Sequence, residues 1–209
     1  MSAREVVLAR IRAALGTDPV VPVVPRAYRT RGEHPPGHPA LLDLLTDRLV
    51  DYRATVTRTA PGELAATLAA ELARIVPPGG RVVVPPDLPA HWGLTDATRD
   101  DGSADATALD GFAAVVTGCA AVAAETGTIA LDGGPGQGRR ALTLVPDRHL
   151  CVVHAGQVVQ SVPELLARLA RQRPVTLVSG PSATSDIELH RVEGVHGPRT
   201  LAVVLVRPA

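Results

Sequence analysis

The apolar positions of this 209-residue chain change period several times, and each change marks an element. Val7, Leu8, Ile11 and Leu15 recur at helical spacing, which predicts an amphipathic helix over residues 3–15 with Ser2 as N-cap and Gly16 closing it. Six prolines (19, 22, 25, 35, 36 and 39) follow between Thr17 and Pro39, so this stretch reads as a linker or surface strap. The helical period returns at Ala40 with Leu41, Leu45 and Leu49, and runs to about Tyr52. A short strand over 54–57 comes next. Pro61-Gly62-Glu63 then opens a helix whose face carries Leu64, Leu68, Leu72 and Ile75, ended by Pro77-Pro78-Gly79-Gly80. Residues 81–84 and 111–116 are apolar without alternation, the pattern of strands buried on both faces. Between them His91-Trp92 fits a short helix, and residues 95–110 read as acidic and mobile.

The Ala-rich run 117–125 reads as a helical turn leading into a strand over 128–131. Asp132-Gly133-Gly134-Pro135-Gly136-Gln137-Gly138 is expected to be a flexible hairpin or lid. It lacks the Lys-Ser/Thr ending of a P-loop and the spacing of a dinucleotide fingerprint, while Arg139 and Arg140 offer charge to an anion. A strand over 150–153, an edge strand over 157–160, a helix over 161–171 and strands over 174–178 and 201–206 complete the pattern. Ser161 and Glu164 have capping-box spacing. Apolar strands interleaved with amphipathic helices predict an α/β fold, a mostly parallel sheet with helices on both faces. Two parts are expected: an N-terminal helix and Pro-rich strap over 1–39, and an α/β domain over 40–209.

Composition narrows the function. Hydrophobic residues make up 45% of the chain but aromatics only 2%, leaving no stacking platform for single-stranded nucleic acid. The 21 positive side chains, all Arg, balance 21 acidic ones, which argues against a nucleic-acid or membrane-surface partner. Without Lys there is no Schiff-base chemistry. An Arg-only, Ala-rich chain points to a GC-rich bacterial source. Cys119 and Cys151 are too few for an iron–sulfur cluster, and no His set has ligand spacing, so neither a metal nor a cofactor is expected on this chain. No signal region or membrane-spanning run is apparent, and the protein reads as cytoplasmic.

The densest chemistry lies in Ser179-Gly180-Pro181-Ser182-Ala183-Thr184-Ser185-Asp186-Ile187-Glu188, followed by Gly194-Val195-His196-Gly197-Pro198. If a short helix starts near Pro181, its free N–H groups and the hydroxyls of Ser182 and Thr184 make a seat for an anion; the same residues are also ordinary turn and cap formers. Ala124-Glu125-Thr126-Gly127-Thr128 forms a second block. The two blocks, in this order and over roughly residues 40–209, resemble the LUD family of lactate utilisation proteins. One position departs: the residue after Ser182, often polar or basic in relatives, is Ala183.

The resemblance implies a three-layer α/β/α fold shared with the ribose-phosphate isomerase, glucosamine-phosphate deaminase and CoA-transferase group. It also implies a subunit of a system that takes L-lactate to pyruvate beside iron–sulfur partner proteins. The alternatives left open are a stand-alone enzyme or a sensor binding a sugar phosphate or acyl-CoA. Glu125 and His196 are the candidate catalytic residues, Glu125 as base, nucleophile or hydrogen-bond anchor. Thr126, Gly127, Thr128, Ser179, Gly180, Ser182, Thr184, Asp186, Glu188 and Gly197 are the candidate contacts to a small anionic ligand. Gly118, the Gly180 turn and the loop after Val84 are expected to converge on one crevice at the carboxyl ends of the strands.

Overall fold

The protein is described by a computed structural model covering residues 2–17, 22–170, 172–184, 192–194 and 196–208. Its centre is a six-stranded sheet, ordered β1-β12-β7-β4-β2-β3 and parallel throughout. The strands are β1 (Thr55–Thr59), β2 (Val82–Val84), β3 (Thr98–Arg99), β4 (Ala114–Thr117), β7 (Arg148–His154) and β12 (Thr200–Val206). A second sheet, ordered β8-β5-β6-β9, is mostly antiparallel. It comprises β5 (Ala121–Ala123), β6 (Thr128–Leu131), β8 (Val158–Val159) and β9 (Thr176–Val178).

The central strands are apolar on both sides because both sides are covered. Leu201, Val203 and Leu205 of β12 pack with Cys151 and Val153 of β7 against α2 (Pro39–Asp51) and the second sheet. The alternate residues, Ala202, Val204, Val206, Leu150 and Val152, meet Leu64, Leu68 and Ile75 of α3 (Leu64–Ile75). Leu109 of α4 (Ala106–Asp110) and Leu142 of α5 (Arg140–Leu144) cover Val83 and Val115. Leu165 of α6 (Val162–Ala167) caps the outer face of the second sheet, touching Ala121, Ala123 and Ala130. α1 (Ala3–Leu15) carries the expected Ser2 cap but buries no residue.

Three expectations are corrected. The run 117–125 is not a helical turn: Ala121–Ala123 is a strand, because alanine's small side chain lets α6 lie close on the sheet, and that packing overrides helix propensity. Residues 132–138 are not a free lid. The Asp132 amide donates to Gln137 Oε1 (2.8 Å), Gln137 Nε2 donates to Asp132 Oδ1 (3.1 Å), and the Gly136 amide donates to Asp87 (3.0 Å). Nor is the stretch from 95 loose: Asp100 is buried, and Arg139 grips it through Nε (2.7 Å) and Nη2 (3.0 Å). Arg139 is therefore already neutralised within the chain.

Candidate functional site

Sheet register brings the two sequence blocks together. β5 and β6 pair with Ala123 opposite Thr128, so Ala124-Glu125-Thr126-Gly127 must form the reversal. Gly127 has φ +59°, and a Cβ there would stand 3.1 Å from Arg48 Cβ on α2, so only glycine lets this turn sit against the helix. β9 runs antiparallel on the other side of β6, with Ile129 opposite Val178, which sets Ser179 beside Thr128. Their hydroxyls are 2.9 Å apart, and Thr126 Oγ1 is 2.7 Å from Thr128 Oγ1. Gly180, at φ +83°, backs onto Tyr52, where any Cβ would fall 2.6 Å from that of the tyrosine.

Glu125 is engaged elsewhere. Arg29 of the strap grips its carboxylate at 2.9 and 2.5 Å, and Gln160 Nε2 donates to it at 3.0 Å. The Arg29 hydrogen bond is the main reason its pKa lies below the usual carboxylate range. Gln160 Oε1 in turn accepts the amides of Glu33 (2.7 Å) and His34 (3.2 Å). Glu125 thus anchors the strap to the β5–β6 turn. Since the Arg29 end is solvent-exposed, Arg29→Ala should leave the melting temperature nearly unchanged but speed hydrogen exchange at the Glu33 and His34 amides. Exchange mass spectrometry of the strap would read this.

The cavity lies on the far side of Ser179, with a volume of about 370 Å³. Arg140 and Thr143 of α5, His149 of β7 and Leu201 of β12 all line it. A knot of the two C-terminal motifs lines it as well. The Ser182 amide donates to Pro198 O (2.9 Å), Ser182 Oγ accepts the His196 amide (3.0 Å), and Ser182 O accepts the Gly194 amide (2.9 Å). No helix starts at Pro181; Ala183–Thr184 (β10) instead pairs with Val192–Glu193 (β11). This antiparallel pairing takes the place of a helical turn, so among the described residues no helix terminus offers an anion seat at Pro181.

Of the expected site residues, Ser179, Gly180, Ser182, His196 and Gly197 line this cavity. Glu125, Thr126, Gly127 and Thr128 do not; the threonines and glycine buttress its Ser179–Gly180 edge. Thr184 lies in β10, while Asp186 and Glu188 fall outside the described residues.

The single crevice at the carboxyl strand ends is also corrected. His149 and Leu201 are the second residues of β7 and β12, so this cavity opens at amino-terminal ends. The reason is that the Gly180 turn follows β9, a strand of the other sheet. Asp87, after Val84, lines a separate cavity with Asp100, Asp101 and Arg139, and Gly118 is tied beneath the glycine loop by its amide to Gly136 O (2.8 Å).

Sequence reasoning missed His149 and Thr117, and it read Arg139 and Arg140 alike as charge for an anion, although Asp100 already holds Arg139. His149 is 1% exposed, and its Nε2 sits 2.7 Å from Thr117 Oγ1. Burial pulls its pKa down to about 4, which leaves the ring neutral at neutral pH. Arg140 stands exposed at the rim, with no ion pair or hydrogen bond through its guanidinium among the described residues. The one available signal for His149 was an imidazole opening an otherwise apolar strand.

Comparison with known proteins decides the family. The LUD domain matches residues 63–206. The chain belongs to the LUD family. This LUD protein is 47% identical over 173 residues to Lactate utilization protein C of Deinococcus radiodurans, covering 79% of each chain. It is 28% identical over 191 residues to the protein of that name from Geobacillus kaustophilus, covering 79% of this chain and 78% of the other. The crystal structure of a DUF162 family protein from Deinococcus radiodurans superposes with a TM-score of 0.67 at 39% identity, covering 80% of this chain and 96% of that one. No helix among the described residues of the LUD protein is long and apolar enough to cross a membrane.

Proposed function

We propose that this LUD protein serves lactate utilisation as a ligand-holding subunit, beside iron–sulfur proteins that carry electrons from L-lactate as it becomes pyruvate. The observation that carries the reading is the 47% identity, over 79% of both chains, to a protein named for lactate utilisation. The cysteine inventory agrees with it. Cys119 and Cys151 are both buried and two thiols cannot ligate a four-thiolate cluster, so in this reading the clusters sit on other chains. The cavity beside α5 is the ligand site of this reading. Arg140 supplies positive charge there, with Ser179, Ser182 and His196 as polar contacts. Glu125 holds the strap that closes over the β5–β6 turn.

Deleting the gene from its native host tests the role. The deletion strain should grow poorly on L-lactate as sole carbon source and normally on pyruvate, with growth restored by the intact chain. Normal growth on lactate would remove the proposal. Capture of the tagged chain from lactate-grown cells should bring down cluster-bearing proteins, visible by their absorbance and iron content.

A further inference from the structure

The cavity contains two polar groups that no described residue satisfies, and they differ in kind. Arg140 offers only donors, and among the described residues it has no partner. His149 also lines the cavity and, among the described residues, makes one hydrogen bond, through Nε2 to Thr117 Oγ1. The Thr117 hydroxyl has a single hydrogen and lies 2.8 Å from Gly118 O, which can only accept. The Thr117 proton therefore goes to Gly118. Nε2 must then carry the imidazole proton and donate it to Thr117, and Nδ1 is left as a bare acceptor. Burial keeps the ring from gaining a second proton near neutral pH. A buried acceptor without a donor is rare in folded proteins, and one beside a cavity marks where a ligand donor belongs.

We propose that this cavity binds a small 2-hydroxy carboxylate, with its carboxylate on Arg140 and its hydroxyl donating to Nδ1 of His149. Ser182 Oγ accepts the His196 amide and keeps its own proton to donate to the carboxylate. A 2-oxo acid of the same size would set a carbonyl lone pair against Nδ1. A phosphate or phosphate ester would set ionised oxygens there, with Arg140 the one arginine among the described lining residues to compensate. The volume, near the lower end for ligand sites, suits a small acid. Naming lactate as the acid rests on the metabolic role proposed above; the donor–acceptor argument rests on the cavity alone.

Titration calorimetry of the purified full chain with L-lactate, pyruvate, propanoate and inorganic phosphate tests the inference. L-lactate is expected to bind about tenfold or more tighter than pyruvate or propanoate. Arg140→Gln should weaken lactate and pyruvate alike, whereas His149→Phe should bring lactate down to the level of propanoate. Should His149→Phe fail to fold, Thr117→Val releases the ring to exchange tautomers and should narrow the lactate-to-pyruvate ratio. Equal binding of lactate and pyruvate, tightest binding of phosphate, or no binding of any of the four would overturn it. The two proposals fail separately. A deletion strain that cannot grow on lactate, together with a chain that ignores lactate, removes the ligand and keeps the role. A strain that grows normally removes the role, while the calorimetry still decides the ligand.

Discussion

Replacing Arg139 with methionine is expected to lower the folding free energy by about 3 kcal/mol, measured by urea denaturation of the full chain. The effect comes from what is left behind. The Asp100 side chain is only 4% exposed, and Arg139 supplies it with two N–H donors while a further bond from Nη2 reaches Ala104 O (2.5 Å). Without the guanidinium, a carboxylate stays buried with no counter-charge, and the 100–105 segment loses its tie to the glycine loop. Asp100→Asn in the same background should recover part of the loss, since a neutral amide is cheaper to bury than an unpaired ion. An equal cost of Asp100→Asn in the parent and in the Arg139→Met background would show that the two side chains are not coupled.

Acid should destabilise the fold through His149 well before the carboxylates titrate. Its pKa is near 6.5 in the unfolded chain and about 4 in the folded one, so between these values only the unfolded chain takes up the proton. Stability is therefore complete above pH 6.5, drains away as pH falls towards 4, and changes no further through this group below that. The gap corresponds to about 3 kcal/mol. His154, also shifted down by burial, acts in the same direction as pH falls below 6.5. Comparison with His149→Phe isolates the larger contribution: the variant's melting temperature should fall less between pH 6.5 and 4.5 than that of the parent. Parallel melting curves would place the imidazole in contact with solvent.

Much of the scaffold was readable because single residues carried local physics. Leu41, Leu45 and Leu49 fixed the α2 face, and Ser161 with Glu164 marked the start of α6, where the carboxylate meets both the Ser161 amide (3.0 Å) and its hydroxyl (2.9 Å). The second sheet was not readable. Ala121-Val122-Ala123 has helix-favouring composition, and only contact with α6 and β6 makes it a strand. The site divides in the same way. The hydroxyl-rich turn stood out by density, but Glu125 and His196 gave no sign of being held in different surroundings. His149 became visible only once β4 and β7 were paired, because its partner Thr117 lies 32 residues earlier in the chain.

The position of β12 has a consequence for biogenesis. The strand latest in sequence among those of this sheet is inserted between β1 and β7, not added at a margin. Until then β1 has no neighbour and β7 presents an open flank of unpaired amides and carbonyls, the kind of edge that recruits foreign strands. Until residues 200–206 are made, β1 stands apart from the β7-β4-β2-β3 group, and protection by chaperones matters most in that interval.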